Sequence, residues 1–194
     1  SISLGYGPEL KQMLADKFVY STKNTNADAG NLDFPAGPNA GDSRMVLNYL
    51  RTLMADKNFH ADLMLLNCGL HDIKTDRKTG KVVIDSKQYA LNLDTIFRLL
   101  RKIKQPIVWV NTTPVNDSIH NSKNVGFFRY NADVIRYNQI ADSICGSHKI
   151  TVIDLYSFCS KFPVTAYADH VHYKPEYAKL QAAYNAGFIS NQKL

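Results

Sequence analysis

Three segments of the sequence carry side chains that could perform acid–base or nucleophilic chemistry. Near the carboxyl end, Asp169 and His172 are three residues apart, with His170 between them. A carboxylate that hydrogen-bonds to an imidazole fixes the tautomer of the ring and stabilises its protonated form, so this pair lacks only a nucleophile. Two other interpretations remain open: a surface loop with a capping Asp169, and a metal site in which His170 and His172 chelate an ion.

The other two segments supply a second histidine and a glycine-containing loop. Gly69-Leu70-His71-Asp72 brings His71, which could act on a substrate or could be a core histidine held by Asp72. The loop at 35–42 contains two glycines. A metal-dependent hydrolase would use His71 together with Asp169, His170 and His172. Because no further cluster of Cys, Asp or Glu ligands accompanies them, we expect no metal ion.

Short apolar runs predict the strands that must position these segments. The runs are Leu63–Leu66, Ile107–Val110 and Ile150–Ile153, with a weaker candidate at Phe18–Tyr20. Each is closed by polar residues, which is typical of strands buried on both faces of a parallel sheet. The polar residues that follow them, among them Thr112 and Thr113, should therefore lie at the carboxyl edge of the sheet, where such folds bind ligands.

Apolar residues at helical spacing predict helices between these strands and after them. The four stretches are 46–54, 89–103, 134–144 and 177–188. Asp42 or Ser43 could cap the first helix, Asp85 or Ser86 could cap the second, and Pro175 suits the first turn of the last. Strands alternating with helices predict an α/β fold with a parallel sheet and helices on both faces.

Length and composition exclude several classes of protein. The 194 residues predict a single domain, 1–194, and the 45% of hydrophobic residues can form a core. The net charge of +6 is spread along the chain, so we expect no nucleic-acid partner. No apolar run is long enough to span a bilayer, so we expect no membrane insertion. Three cysteines without a CxxC pattern exclude zinc ribbons and thioredoxin motifs.

Four motifs in order resemble the conserved blocks of the SGNH hydrolase family, also called GDSL-like esterases and lipases. Ser1-Ile2-Ser3-Leu4 looks like the end of the Gly-Asp-Ser block that opens the family. The second, third and fourth blocks are matched by Asn39-Ala40-Gly41-Asp42-Ser43, Gly69-Leu70-His71-Asp72 and Asp169-His170-Val171-His172. The resemblance covers essentially the whole chain, and its third block is similar to a subgroup that carries Gly-Leu-His-Asp.

The resemblance implies a role for each matched residue. Ser1 would be the nucleophile, His172 the general base and acid, and Asp169 the carboxylate that orients it. The oxyanion hole would consist of the backbone N–H groups of Ser1 and Gly41 and of His71. The family usually has an asparagine donor where this chain has His71, so His71 must present an N–H to the oxyanion.

The resemblance also implies the fold, a three-layer α/β/α sandwich with a parallel, flavodoxin-like sheet. In the family a central strand precedes the first block, and this sequence shows no such strand ahead of Ser1. Residues upstream of Ser1 could be missing from the sequence, or the chain could be a processed fragment. Alternatively, Ser1 could be a true N-terminus whose amine acts as the base of an N-terminal-nucleophile hydrolase.

Together these observations predict a serine esterase that removes small acyl groups, most simply acetyl, from a carbohydrate. We expect no cofactor, and a small-molecule or glycan ester as substrate, contacted by Thr112, Thr113, Phe127 and Phe128. Thr112 and Thr113 could instead merely cap the turn before Pro114, and the segment at 116–128 could be a packing hinge. The alternatives are a lysophospholipase or thioesterase on the same site and a non-catalytic glycan-binding relative. The family analogy favours a periplasmic or secreted location, and the oligomeric state is left open.

Overall fold

The computed structural model of the chain describes residues 1–23, 32–123 and 125–191. Three strands form a parallel sheet: β1 (Met64–Leu66), β3 (Ile107–Val110) and β5 (Thr151–Ile153). Their order is β1-β3-β5, with Leu65 opposite Val108 and Trp109 opposite Val152. All three predicted apolar runs are therefore strands, and their carboxyl ends lie at one edge of the sheet.

Seven α-helices surround the strands in the described part of the chain. They are α1 (Ile2–Leu14), α2 (Ser43–Ala55), α3 (Ser86–Lys102), α4 (Asp117–Ser122), α5 (Asn131–His148), α6 (Leu155–Cys159) and α7 (Pro175–Ser190), with a 3₁₀ turn at Val164–Ala166. Both predicted caps are present, because Asp42 accepts a hydrogen bond from the Met45 N–H and Asp85 accepts bonds from two N–H groups of α3. The four predicted helices correspond to α2, α3, α5 and α7 and are confirmed.

The helices form two layers around the sheet. On one side, α3 packs between α2 and α5, while α1 packs against α7. The buried core includes Trp109, whose ring meets Phe97 edge to face at 5.8 Å between centroids. This arrangement confirms the expected α/β/α architecture. No helix of the described segments is long and apolar enough to cross a membrane.

The weaker strand prediction at Phe18–Tyr20 is wrong. This segment follows α1 as irregular chain, and Val19 is fully exposed. Three apolar residues in a row predict a strand only where a neighbouring strand can pair with them. Within the described residues no strand precedes β1, so β1 forms an edge of the sheet and its residues are half-buried.

The buried face of α7 also differs from the predicted one. Leu180 and Tyr184, both in the predicted stripe, are 46% and 37% exposed. The buried face instead consists of small and amide residues with one isoleucine: Ala178, Gln181, Ala182, Asn185, Ala186 and Ile189. Small side chains let α1 approach closely, and α1 supplies the bulk with Tyr6, Leu10 and Leu14.

A second, small sheet lies outside the parallel one and was not predicted. β2 (Thr75–Asp76) pairs antiparallel with β4 (Phe127–Phe128). The polar and aromatic segment at 116–128 therefore contains α4 and β4, of which β4 pairs with the strand that follows the His71 block. A two-residue strand has too little hydrophobic alternation to be recognised in sequence.

Candidate active site

The loop ahead of α7 holds Asp169 and His172 as a bonded pair. Asp169 Oδ2 accepts a hydrogen bond from His172 Nδ1 at 2.7 Å. Its other oxygen, Oδ1, accepts the backbone N–H groups of Val171 and His172, each at 2.8 Å. Three donors thus converge on one carboxylate, and the loop itself sets the direction of the imidazole.

This geometry leaves His172 Nε2 available as a base. An ionised carboxylate can only accept, so the ring proton lies on Nδ1 and Nε2 carries a lone pair. Burial would raise the pKa of Asp169, but the bonds from the His172 ring and the two N–H groups outweigh it and hold that pKa well below its usual range. Among the described residues, buried His172 Nε2 has no hydrogen-bond partner.

Ser1 lies at the amino end of α1, where it is the N-cap residue and makes no side-chain capping bond. Ser1 as a whole is partly buried. Its hydroxyl is not hydrogen-bonded to His172 Nε2. Nucleophile–base bonds are often longer in a free enzyme than in its substrate complex.

Gly41 occupies a position that only glycine fits. Its φ is +80°, and a Cβ there would lie 2.6 Å from Met45 Sδ and 2.8 Å from Pro35 Cβ. The Gly41 N–H, expected to be an oxyanion donor, here donates to Asn39 Oδ1 at 3.3 Å. The second block therefore folds back on its own first residue, Asn39.

His71 is buried and contacts Asn39, with 3.3 Å between His71 Nε2 and Asn39 Nδ2. Burial, followed by the charges of Lys74 and Arg129, lowers the pKa of His71 to about 2, so the ring is neutral at physiological pH. Its Nδ1 has no partner among the described residues. Asp72 does not hold His71, since its described bond goes to the Ser43 N–H. The core-histidine alternative held by Asp72 is thus not what the structure contains.

Asp72 connects the second and third blocks. Its Oδ1 accepts the Ser43 N–H at 2.9 Å, and the Ser43 hydroxyl accepts from Asn92 Nδ2 at 2.8 Å. Burial raises the pKa of Asp72 to about 7 even though the bonds from Ser43 oppose that shift. The carboxyl beside His71 thus holds the amino end of α2 against the His71 turn.

A buried ion pair connects the two histidine-bearing loops, and sequence inspection did not identify it. Arg129, 1% exposed, donates from Nε to the Leu70 carbonyl and from Nη1 to Asp33 Oδ1, both at 2.9 Å. Asp33 Oδ2 lies 3.4 Å from Nε2 of His170. Arg129 therefore bonds to the turn that carries His71, and its partner Asp33 lies beside His170 on the loop that carries His172. Asp33 lies outside every motif, and no sequence signal indicates it.

The predicted substrate residues Thr112 and Thr113 are both buried. The Thr112 hydroxyl donates to the Cys68 carbonyl at 3.3 Å and accepts from Asn67 Nδ2 at 3.1 Å. Gly69 lies so close to this hydroxyl that a Cβ there would be 2.7 Å from it. These bonds join the ends of β1 and β3, while contact of either threonine with a substrate stays a prediction.

The predicted aromatic residues Phe127 and Phe128 are half-buried beside cations. Lys74 Nζ lies 4.5 Å from the Phe127 ring centre, and the Arg77 guanidinium lies 4.4 Å from that of Phe128. The same Lys74 amine lies 5.5 Å from the ring of Phe34, which is 61% exposed. The rings of Phe127 and Phe34 therefore flank one amine close to the His71 turn.

In the segments that the structure describes, no group of three or more His, Cys, Asp or Glu side chains is placed to hold a metal ion. His170 and His172 do not converge: His170 faces Asp33, and His172 faces Asp169. The three cysteines, Cys68, Cys145 and Cys159, are buried and unpaired. The described histidines at 170 and 172 therefore face different carboxylates and not a common centre.

Comparison with known proteins supports the fold. The sequence matches no family model, and no curated protein matches it significantly. Its structure is similar to that of a lipase/acylhydrolase from Enterococcus faecalis, with a TM-score of 0.65 and 18% identity over 95% of this chain and 84% of that chain. An acetyl xylan esterase, AlAXEase, gives a TM-score of 0.67 and 14% identity over 97% and 89%.

A GDSL-like lipase from Bacteroides thetaiotaomicron gives a TM-score of 0.64 and 14% identity over 98% of this chain and 85% of that chain. At such identities the likeness concerns the backbone and not the chemistry. The expected architecture is confirmed by these matches: the chain has the fold of the GDSL-like lipases and acylhydrolases.

Proposed function

We propose that this protein is a serine esterase that releases small acyl groups, acetyl above all, from a carbohydrate ester. The observation that carries the proposal is the Asp169–His172 pair, bonded at 2.7 Å with Nε2 left free, in a fold shared with GDSL-like hydrolases. A free imidazole nitrogen oriented by an ionised carboxylate is the base that a serine nucleophile requires.

In the proposed reaction Ser1 Oγ attacks the ester carbonyl carbon while His172 Nε2 takes the hydroxyl proton. The carbonyl oxygen becomes an oxyanion, which the N–H groups of Ser1 and Gly41 and the ring of His71 stabilise. The tetrahedral intermediate collapses, His172 returns the proton to the leaving alcohol, and the acyl group stays on Ser1. Water then attacks the acyl-enzyme with the same base, which releases the carboxylic acid and restores Ser1.

The carbohydrate part of the proposal is supported by the aromatic side chains near the His71 turn and by one structural neighbour named an acetyl xylan esterase. Phe127 and the exposed Phe34 offer apolar ring faces of the kind that pack on sugar rings, with Phe128 and the Lys74 amine beside them. We propose that these residues contact the alcohol part of the ester.

A lysophospholipase or thioesterase on the same site is the second candidate, and neighbours named as lipases favour it. The two candidates differ in the acyl chain that the site accepts. Hydrolysis that falls steeply from acetate to butyrate esters supports the acetylesterase, whereas a rate that rises with chain length supports the second candidate.

Labelling with a fluorophosphonate tests the esterase proposal directly. We expect one adduct by intact mass, mapped to the Ser-Ile-Ser peptide, and its loss in the Ser1→Ala and His172→Ala variants. The matched control is Ser3→Ala, which removes the neighbouring hydroxyl and should still label. An adduct that forms equally in Ser1→Ala, or none in the intact protein, would overturn the proposal. In that case binding of an acetylated glycan without turnover would identify a non-catalytic relative.

A further inference from the structure

Asn39 is the second-block residue to which neither the sequence motifs nor the proposed reaction assigns a role. It is buried, and its side-chain amide makes three contacts: with the Leu32 carbonyl, the Gly41 N–H and the His71 ring. Two of those groups, Gly41 and His71, are among the three oxyanion donors of the proposed reaction. The amide therefore contacts two of the three donors.

The orientation of the Asn39 amide follows from its two backbone contacts. A carbonyl can only accept, so the atom 3.0 Å from the Leu32 oxygen must be Nδ2. A backbone N–H can only donate, so the atom 3.3 Å from the Gly41 nitrogen must be Oδ1. The opposite orientation would place an oxygen against an oxygen and a donor against a donor. One hydrogen of Nδ2 therefore remains for His71.

The tautomer of His71 follows in turn. Asn39 Nδ2 donates toward His71 Nε2, so Nε2 must be the nitrogen that carries a lone pair. A proton on Nε2, in either the other neutral tautomer or the imidazolium, would set two N–H donors against each other. The neutral ring agrees with the lowered pKa of His71, which burial and then the charges of Lys74 and Arg129 depress against the opposing charge of Asp33.

The proton of His71 then lies on Nδ1, which is buried and has no partner among the described residues. A buried N–H that lacks an acceptor costs about 1–3 kcal/mol, so such a group is expected to meet an acceptor in the working molecule. The acceptor that the site creates during the proposed reaction is the oxyanion.

We infer that Asn39 is a positioning residue that holds His71 in its Nδ1–H tautomer, so that Nδ1–H donates to the oxyanion. This inference rests on the proposed function. It adds the atom of His71 that donates, Nδ1, and the residue that selects the tautomer, Asn39. The same amide accepts the Gly41 N–H through Oδ1, so this N–H must leave Asn39 before it can bind the oxyanion.

Nitrogen NMR of the ¹⁵N-labelled protein tests the tautomer without any need for activity. Long-range ¹H–¹⁵N correlations distinguish a protonated from an unprotonated ring nitrogen, and the His71 signals are those missing from the His71→Asn variant. We expect a protonated Nδ1 and an unprotonated Nε2 at pH 7. A protonated Nε2 in the intact protein would overturn the inference, whether or not the protein hydrolyses esters.

Kinetics then test the role of Asn39. Asn39→Ala should lower kcat for an aryl acetate about tenfold with little change in KM, and should shift the His71 proton toward Nε2. In the His71→Asn background the same change should cost less than about threefold, because no tautomer remains to be selected. Asn92→Ala is the matched control: a buried asparagine that bonds to Ser43 and not to His71.

Two outcomes would overturn the role of Asn39: an equal loss of kcat in both backgrounds, or an unchanged His71 tautomer in Asn39→Ala. If Asn39→Ala does not fold, the spectrum of the intact protein still decides the tautomer. Absence of all esterase activity together with a protonated Nδ1 would reject the proposed function while leaving the contact between Asn39 and His71 established.

Discussion

In the arrangement we infer, His71 and His172 carry their proton on the same ring nitrogen and present opposite edges to the site. His172 Nδ1–H is bound by Asp169 and its Nε2 lone pair is free. In the arrangement inferred for His71, Asn39 binds the Nε2 lone pair and Nδ1–H is free. The partner of each ring therefore decides its chemistry: a carboxylate leaves a base, and an amide leaves a donor.

The charged groups near the two rings also differ: a carboxylate lies beside His172, and two cations lie near His71. His172 faces the ionised carboxylate of Asp169, which stabilises an imidazolium when the ring accepts a proton. His71 lies near the cations Lys74 and Arg129, and its pKa is depressed to about 2. The proposed base, His172, is thus half-buried beside a carboxylate, whereas the proposed donor, His71, is buried near two cations.

Of the changes proposed here, removing the proposed base, His172, should lower turnover the most. We expect His172→Ala to lower turnover of an aryl acetate by on the order of 10⁴ or more, because the free lone pair is lost while the fold remains. Steady-state rates together with circular dichroism measure this. An unchanged rate in a folded variant would reject the triad.

Breaking the ion pair that connects the two loops should have the next largest effect. Arg129→Met leaves Asp33 without its guanidinium partner and frees the Leu70 carbonyl. We expect a loss of about 3–5 kcal/mol in the free energy of unfolding, since one partner of a buried pair is removed. Urea unfolding measures it. Arg98→Met is the matched control, because its pair with Asp94 lies on the surface and should leave the unfolding midpoint nearly unchanged.

If His71 is an oxyanion donor, the loss of kcat should depend on whether the replacement residue also offers an N–H. His71→Ala should lower kcat about 100- to 1000-fold, the usual cost of one oxyanion donor. His71→Asn restores an N–H where the family usually has asparagine, and should keep kcat within about tenfold of the original. Turnover of one aryl acetate by both variants is the measurement. Equal, complete loss in both would show that His71 has another role.

The sequence predicts the positions that follow strong local rules. The structure confirms the strands at 64–66, 107–110 and 151–153. Short apolar runs closed by polar residues are typical of buried strands, so they can be recognised locally. The cap at Asp42 is confirmed because a carboxylate that begins an amphipathic stripe satisfies free N–H groups. Such rules need no knowledge of distant parts of the chain.

Other features depend on contacts that the sequence does not encode locally. The buried face of α7 consists of alanines and amides because α1 packs against it, so its apolar stripe was a poor guide. The pairing of β2 with β4 joins residues about fifty positions apart. Asp33 and Asn39 act only through partners in other loops, and neither could be identified before those loops were placed together.

The smallest expected effect concerns the two carboxyls that neighbour the histidines. Asp169 has a depressed pKa because donors surround it, whereas burial raises that of Asp72 to about 7. In the unfolded chain Asp72 should titrate near the ordinary value of about 3.9. The folded state therefore binds a proton there that the unfolded state has released, and stability should decline as pH rises from about 4 to about 7.

Asp72→Asn removes this titration while keeping an oxygen that can accept the Ser43 N–H. We expect the variant to melt about 5 °C above the original protein at pH 8 and close to it at pH 4, measured by thermal unfolding across that range. Asp169→Asn is the opposing case. Its depressed pKa contributes stability above the unfolded value of about 3.9, so this variant should be the less stable of the two at pH 8. If both variants gain stability at pH 8, then the folded state disfavours the ionised form of Asp169 as well as that of Asp72. The two histidine turns would then differ only in the contacts of the histidine rings.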